Sequence, residues 1–148
     1  MALLLPGADT PAPALALGIG GLLPFAGLAA GFLWLHDPRL LHALIGYGAV
    51  ILSFVGALHW SHAMHVDARG TRAWVLYGWS VIPALIGWIC LLVPPSIGSV
   101  VLASALVLAL GVDQLLAPQE SVASWLLPLR RLLSAGAATS LLLAGVFA

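Results

Sequence analysis

His59 and His62 stand about one helical turn apart in an apolar stretch running from Leu40 to His65. Asp113 falls near the end of a second apolar stretch, followed by Gln114, and Arg130 and Arg131 fall near the start of a third. An imidazole can relay a proton, ligate a metal or anchor a quinone or haem headgroup. A guanidinium pairs with a carboxylate or an anionic headgroup. An ionisable side chain inside a membrane helix costs about 2.5–3.5 kcal/mol on insertion scales, so it faces protein or water and takes a partner. Asp113 is therefore expected to pair with Arg130 or Arg131, or to meet His59. The plainer meaning of His59 is structural: a buried imidazole that holds two helices in register.

Most specific chemistries lack their residues. A bis-His haem needs imidazoles from two facing helices, and one apolar stretch carries His well inside it. Zinc needs three or four ligands; His59, His62, His65 and Asp67 are close in sequence, without an HExxH or a carboxylate-rich partner. The single Cys90 builds no thiolate site. Gly-x-Ser-x-Gly, the phosphate-binding loop and the dinucleotide fingerprint are all missing from the sequence. No catalytic residue, metal site or cofactor is assigned, and an enzyme is not expected.

The elements that must position these groups are membrane helices. The chain has 148 residues, 62% hydrophobic and 7% charged, with mean hydropathy +1.12. Soluble domains carry about 25% charged residues, and a chain this short cannot hide so much apolar surface from water. Five Arg balance five acids, and there is no Lys or Asn. No basic patch exists for nucleic acid. Helices that cross a bilayer need about 20 apolar residues. The expected architecture is an all-α integral membrane bundle of five transmembrane helices, at 14–35, 40–64, 73–93, 96–116 and 125–148. Residues 1–13, broken by Pro6, Gly7, Pro11 and Pro13, read as an N-terminal tail without the positive charge of a secretory signal.

Pro24 and Pro83 fall inside spans one and three and free the carbonyls of Gly20 and Trp79, so kinks are expected there. Gly27 and Gly31 form a GxxxG pair suited to intrachain packing. Asp37-Pro38 marks a turn, and the six tryptophans read mainly as interface anchors, with Trp60 and Trp79 the two that could wall a pocket. The run from Ser134 to Ser140 is small and invites tight packing.

Five spans bring the polar groups to one depth. Arg69, Arg72, Arg130 and Arg131 then share a face opposite Arg39, which points to a cytoplasmic N-terminus and a periplasmic C-terminus. His59, His62, Asp113, Gln114 and Arg130 gather near that arginine-rich face. At roughly 100° per residue, Gly48, Leu52 and His59 fall near one line with Gly56 beside it, so a glycine-lined groove is expected to lead to His59.

The run Tyr47-Gly48-Ala49-Val50-Ile51-Leu52-Ser53-Phe54-Val55-Gly56-Ala57-Leu58-His59-Trp60 resembles the transmembrane protein 69 family, whose pattern is Tyr-Gly followed by Leu-Ser-Phe-x-Gly-x-x-His/Arg-Trp. The likeness continues from Gly78 to Trp88, at Asp113, and at Trp125 with Leu129-Arg130-Arg131. It implies a small helical membrane protein of the bacterial or mitochondrial inner membrane, with no established activity. It marks Ser53, Gly56, His59, Trp60, Ser80, Pro83, Asp113 and Arg130; His62 and His65 lie outside it. The candidate polar cluster is thus Ser53, Gly56, His59, Trp60, His62, Asp113 and Arg130. The expected role is a non-enzymatic accessory, assembly or scaffold factor of the bacterial inner membrane. The alternatives are a binder of a quinone- or haem-like molecule, or a proton or solute conduit centred on His59 and Asp113. The expected partners are the lipid bilayer and a membrane protein or a second copy of the chain.

Overall fold

The computed structural model describes residues 10–116 and 125–148. Residues 1–9 of the expected tail and the 117–124 connection lie outside the described residues. Six helices are described: α1 (Ala12–Gly20), α2 (Leu22–Leu35), α3 (Pro38–His65), α4 (Gly70–Cys90), α5 (Pro95–Leu116) and α6 (Leu126–Val146). α1 and α2 together make one span, so five helical segments are long and apolar enough to cross a membrane.

The helix ends follow from local chemistry. α1 starts inside the stretch read as tail, because Pro11 and Pro13 suit a first turn, where a missing N–H loses no partner. The interruption in span one falls at Gly21, about one turn before Pro24. There the Tyr47 hydroxyl of α3 donates to the Gly21 carbonyl at 3.0 Å. His36 ends α2 in the left-handed region at φ 53°, and Asp37 caps α3 by accepting from the Arg39 N–H at 2.9 Å. Gly70 opens α4 at φ +60°, a conformation that suits its missing Cβ.

Close approach sets the packing. In lipid there is no hydrophobic drive between helices, so small residues that admit a neighbour matter most. A Cβ on Gly56 would lie 2.8 Å from the Ser80 carbonyl and 2.9 Å from Pro83 Cγ, and one on Gly87 would lie 3.1 Å from the Ala49 carbonyl. These contacts zip α3 antiparallel to α4, and Trp60 meets Tyr77 edge-on at 4.9 Å. A Cβ on Gly48 would lie 2.6 Å from Leu102 Cδ2. With Asp113 beside His59, this sets α3 parallel to α5. Ser99 fills the space at Gly145, joining α5 antiparallel to α6. Leu44, Leu52, Leu102, Leu106 and Leu141 form the centre.

Two sequence expectations change here. The glycine-lined groove is not open: Leu102 fills it at Gly48, and Pro83 and Ser80 fill it at Gly56. Of the Gly27–Gly31 pair, Gly31 meets Leu40 while Gly27 has open space where a Cβ would be, so the pair is not a packing face.

Candidate functional site

The parallel alignment of α3 and α5, with α6 antiparallel beside them, carries three ionisable side chains to one place. His59, Asp113 and Arg130 are 7%, 6% and 8% exposed. Arg130 Nη2 lies 2.5 Å from Asp113 Oδ2, and His59 Nε2 lies 3.3 Å from Asp113 Oδ1. The arginine contact is an ion pair rather than an in-line hydrogen bond. Asp113 therefore bridges two helices from a third. The carboxylate offsets the guanidinium charge, which a low-dielectric interior otherwise makes costly. His59 Nδ1 is buried without a hydrogen-bond partner.

The other candidate residues are placed differently. The Ser53 hydroxyl donates to the Ala49 carbonyl at 2.8 Å, back onto its own helix. Gly56 is a contact point between helices. Trp60 is half exposed and packs on Tyr77, away from the triad. His62 is half-buried, with Nε2 lacking a hydrogen-bond partner. The described ion pairs of Asp113 run to Arg130 and His59, not to Arg131. Gln114 is exposed. Asp67 and Arg69 form an exposed pair at 2.9 Å on the surface turn before α4. Among the described residues no three His, Cys, Asp or Glu gather as a metal would need.

Sequence reasoning missed a cavity of about 440 Å³ beside the triad. Its walls come from span one (Leu17, Gly18, Phe25), α3 (Phe54, Leu58) and α6 (Leu133), with Leu106 behind. Arg130 and Ser134 are the polar side chains on the α6 wall, and Trp125 stands at one end. The small run at Ser134–Ser140 was the visible signal, since small residues leave space as readily as they close it. α1 packs against α6 and stops short of α3, so the cavity opens sideways past Leu17 and Phe54, both exposed. Arg130 thus belongs to both features: its charge is held by Asp113, and it forms part of the cavity wall.

A family described as "Protein of unknown function (DUF3429)" matches residues 10–146. The chain is 36% identical over 137 residues to a protein of Xenopus tropicalis named Transmembrane protein 69, covering 90% of this chain and 53% of the relative. The chain thus spans about half the length of that curated relative. No solved structure matches. With five apolar helices in the fold and the family match running through nearly all of them, the chain is a multi-pass membrane protein that belongs to the DUF3429, transmembrane protein 69-like family.

Proposed function

We propose that this protein is a non-enzymatic membrane protein that holds a lipophilic small molecule in the cavity beside Arg130. One observation carries the reading: an apolar cavity of about 440 Å³ that opens past the exposed Leu17 and Phe54 and has a buried, charge-paired arginine on its wall. Ligand sites of membrane bundles have this character, mostly apolar with one or two placed polar groups. The test uses an alkyl chain bearing a photoreactive diazirine, with the protein in nanodiscs. Saturable adducts at Leu17, Phe54 and Leu133 are expected. Adducts spread evenly over lipid-facing residues such as Leu85, Leu92 and Val107, without saturation, would remove the reading.

A scaffold or accessory role is the second reading. It is favoured by the triad itself, since both oxygens of Asp113 are engaged with its own neighbours. A side chain committed in this way locks α3, α5 and α6 together and keeps the Asp113 carboxylate occupied. The two readings are compatible if a bound lipophile reinforces the lock.

The setting we propose is a bacterial inner membrane, in keeping with a composition free of Lys and Asn. The arginine-rich end, with Arg69, Arg72, Arg130 and Arg131, faces the cytoplasm by the positive-inside rule. The N-terminus is then cytoplasmic and the C-terminus periplasmic. Cysteines introduced at Ala68 and at His36 should label from opposite sides of the membrane, and labelling from one side overturns the five-span topology.

A further inference from the structure

We infer that the ligand of this cavity is a chain-bearing lipophile whose head is an uncharged hydrogen-bond acceptor, such as the carbonyl of a ketone or quinone. The inference rests on the binding reading above and names the class of molecule for that site. Three observations carry it.

The first is shape. The cavity walls run from Ala14 to Phe25 on span one and from Trp125 to Ala137 on α6. At 1.5 Å per residue each wall is about 17 Å long. An apolar slot of that length suits an extended hydrocarbon chain.

The second is access. α1 leans on α6 and does not reach α3, and it buries none of its own residues fully. The slot between α1 and α3 faces the acyl chains, so the occupant arrives from the bilayer. Gly21, held by Tyr47, is where α1 joins the rest of the bundle.

The third is charge. Among the described residues Arg130 is the charged group on the wall, and Asp113 already faces it at 2.5 Å. The formal charges of Arg130 and Asp113 sum to zero. An anionic head would place a second negative charge beside Asp113 in apolar surroundings, where repulsion is poorly screened. A cationic head would meet the guanidinium itself. Arginine carries donors and no acceptor, so the head that fits accepts a hydrogen bond without bringing a charge. The Ser134 hydroxyl, one turn further along α6, offers a second donor.

The test is competition against the diazirine probe in nanodiscs of zwitterionic lipid. The competitors share one decyl chain and differ in the head: benzoquinone, carboxylate, phosphate and trimethylammonium. The quinone should displace the probe at a concentration about tenfold or more below the charged competitors. Gly18→Leu should abolish saturable labelling while the protein still melts cooperatively, because the Gly18 Cβ position lies 3.2 Å from Leu133 Cδ1 on the cavity wall. Leu133→Trp fills the same space from the other side and serves if Gly18→Leu does not fold. Equal or better competition by the carboxylate or phosphate overturns the ligand class and leaves the binding reading standing. So does saturable labelling that none of the four displaces. No saturable labelling in the intact protein removes both readings, and unchanged competition in a folded cavity-filling variant moves the site elsewhere.

Discussion

Asp113→Asn changes almost no volume and removes one charge. In the structure that charge faces Arg130 at 2.5 Å and His59 at 3.3 Å, with the side chains of the Arg130 pair 9% and 8% exposed. Removing one partner of a buried pair costs about 3–5 kcal/mol, because the other charge is left without compensation. Arg130 sits near the start of α6, where a long side chain can bend its head toward water, so the low end of that range applies here, about 3 kcal/mol. Arg130→Met should cost a similar amount by stranding the carboxylate. The double variant strands neither, so its cost should fall well short of the sum, with a coupling of about 2–3 kcal/mol. A neutral interhelical hydrogen bond in a membrane protein contributes only about 0.6 kcal/mol, so the cycle separates an ion pair from an ordinary polar contact. His59→Leu should cost less than either, since 3.3 Å is a long contact. The measurement is reversible unfolding in bicelles, by steric trapping, for the two single variants and the double. Costs that add within about 0.5 kcal/mol would show that the two charges do not stabilise one another, and the proposed lock would fail.

Three further outcomes follow from particular contacts. Gly56→Ala should destabilise by about 1–3 kcal/mol, because its Cβ would press on backbone at Ser80 and on the Pro83 ring, whereas Gly46→Ala, with open space, should be near neutral; comparable thermal unfolding of the two in detergent would contradict the packing. Tyr47→Phe should remove about 1 kcal/mol of local stability and speed amide exchange across α1 and Gly21, with the global melting temperature little changed; unchanged exchange there would refute the role given to the hydroxyl. Cys90 is 1% exposed at the end of α4, so maleimide should label it slowly in the folded protein and rapidly after denaturation; fast labelling of the folded form would place α4 wrongly.

The bundle was legible because it depends on properties that add along the chain, and the family because the run from Tyr47 to Trp60 resembles its pattern. Apolar length alone counts the spans, and Pro, Gly and Asp punctuate them. The start of span one at Ala12 and Pro13 was harder to read, since two prolines that suggest a tail also suit a helix start. Gly48 and Gly56 show the limit of a one-helix projection. The helical wheel put them on one line with His59, and an empty groove was a fair reading of that line. A wheel does not include the neighbours, and Leu102, Ser80 and Pro83 stand in the space it left open.

Residue types and their order along the chain were enough to show that lipid is the solvent, that five helices are long and apolar enough to cross it, and that His59, Asp113 and Arg130 lie at similar depth near one face. It took the packed helices to show that Asp113 takes Arg130 rather than Arg131, that His59 joins the same carboxylate, and that a cavity lies beside Arg130. The reason is the difference between a height and an azimuth. Hydropathy and helix rise set how deep each residue sits, from its position in its own span. Which way it faces depends on how neighbouring helices are turned about their axes, and that is settled by side chains packed between them, far apart in the chain.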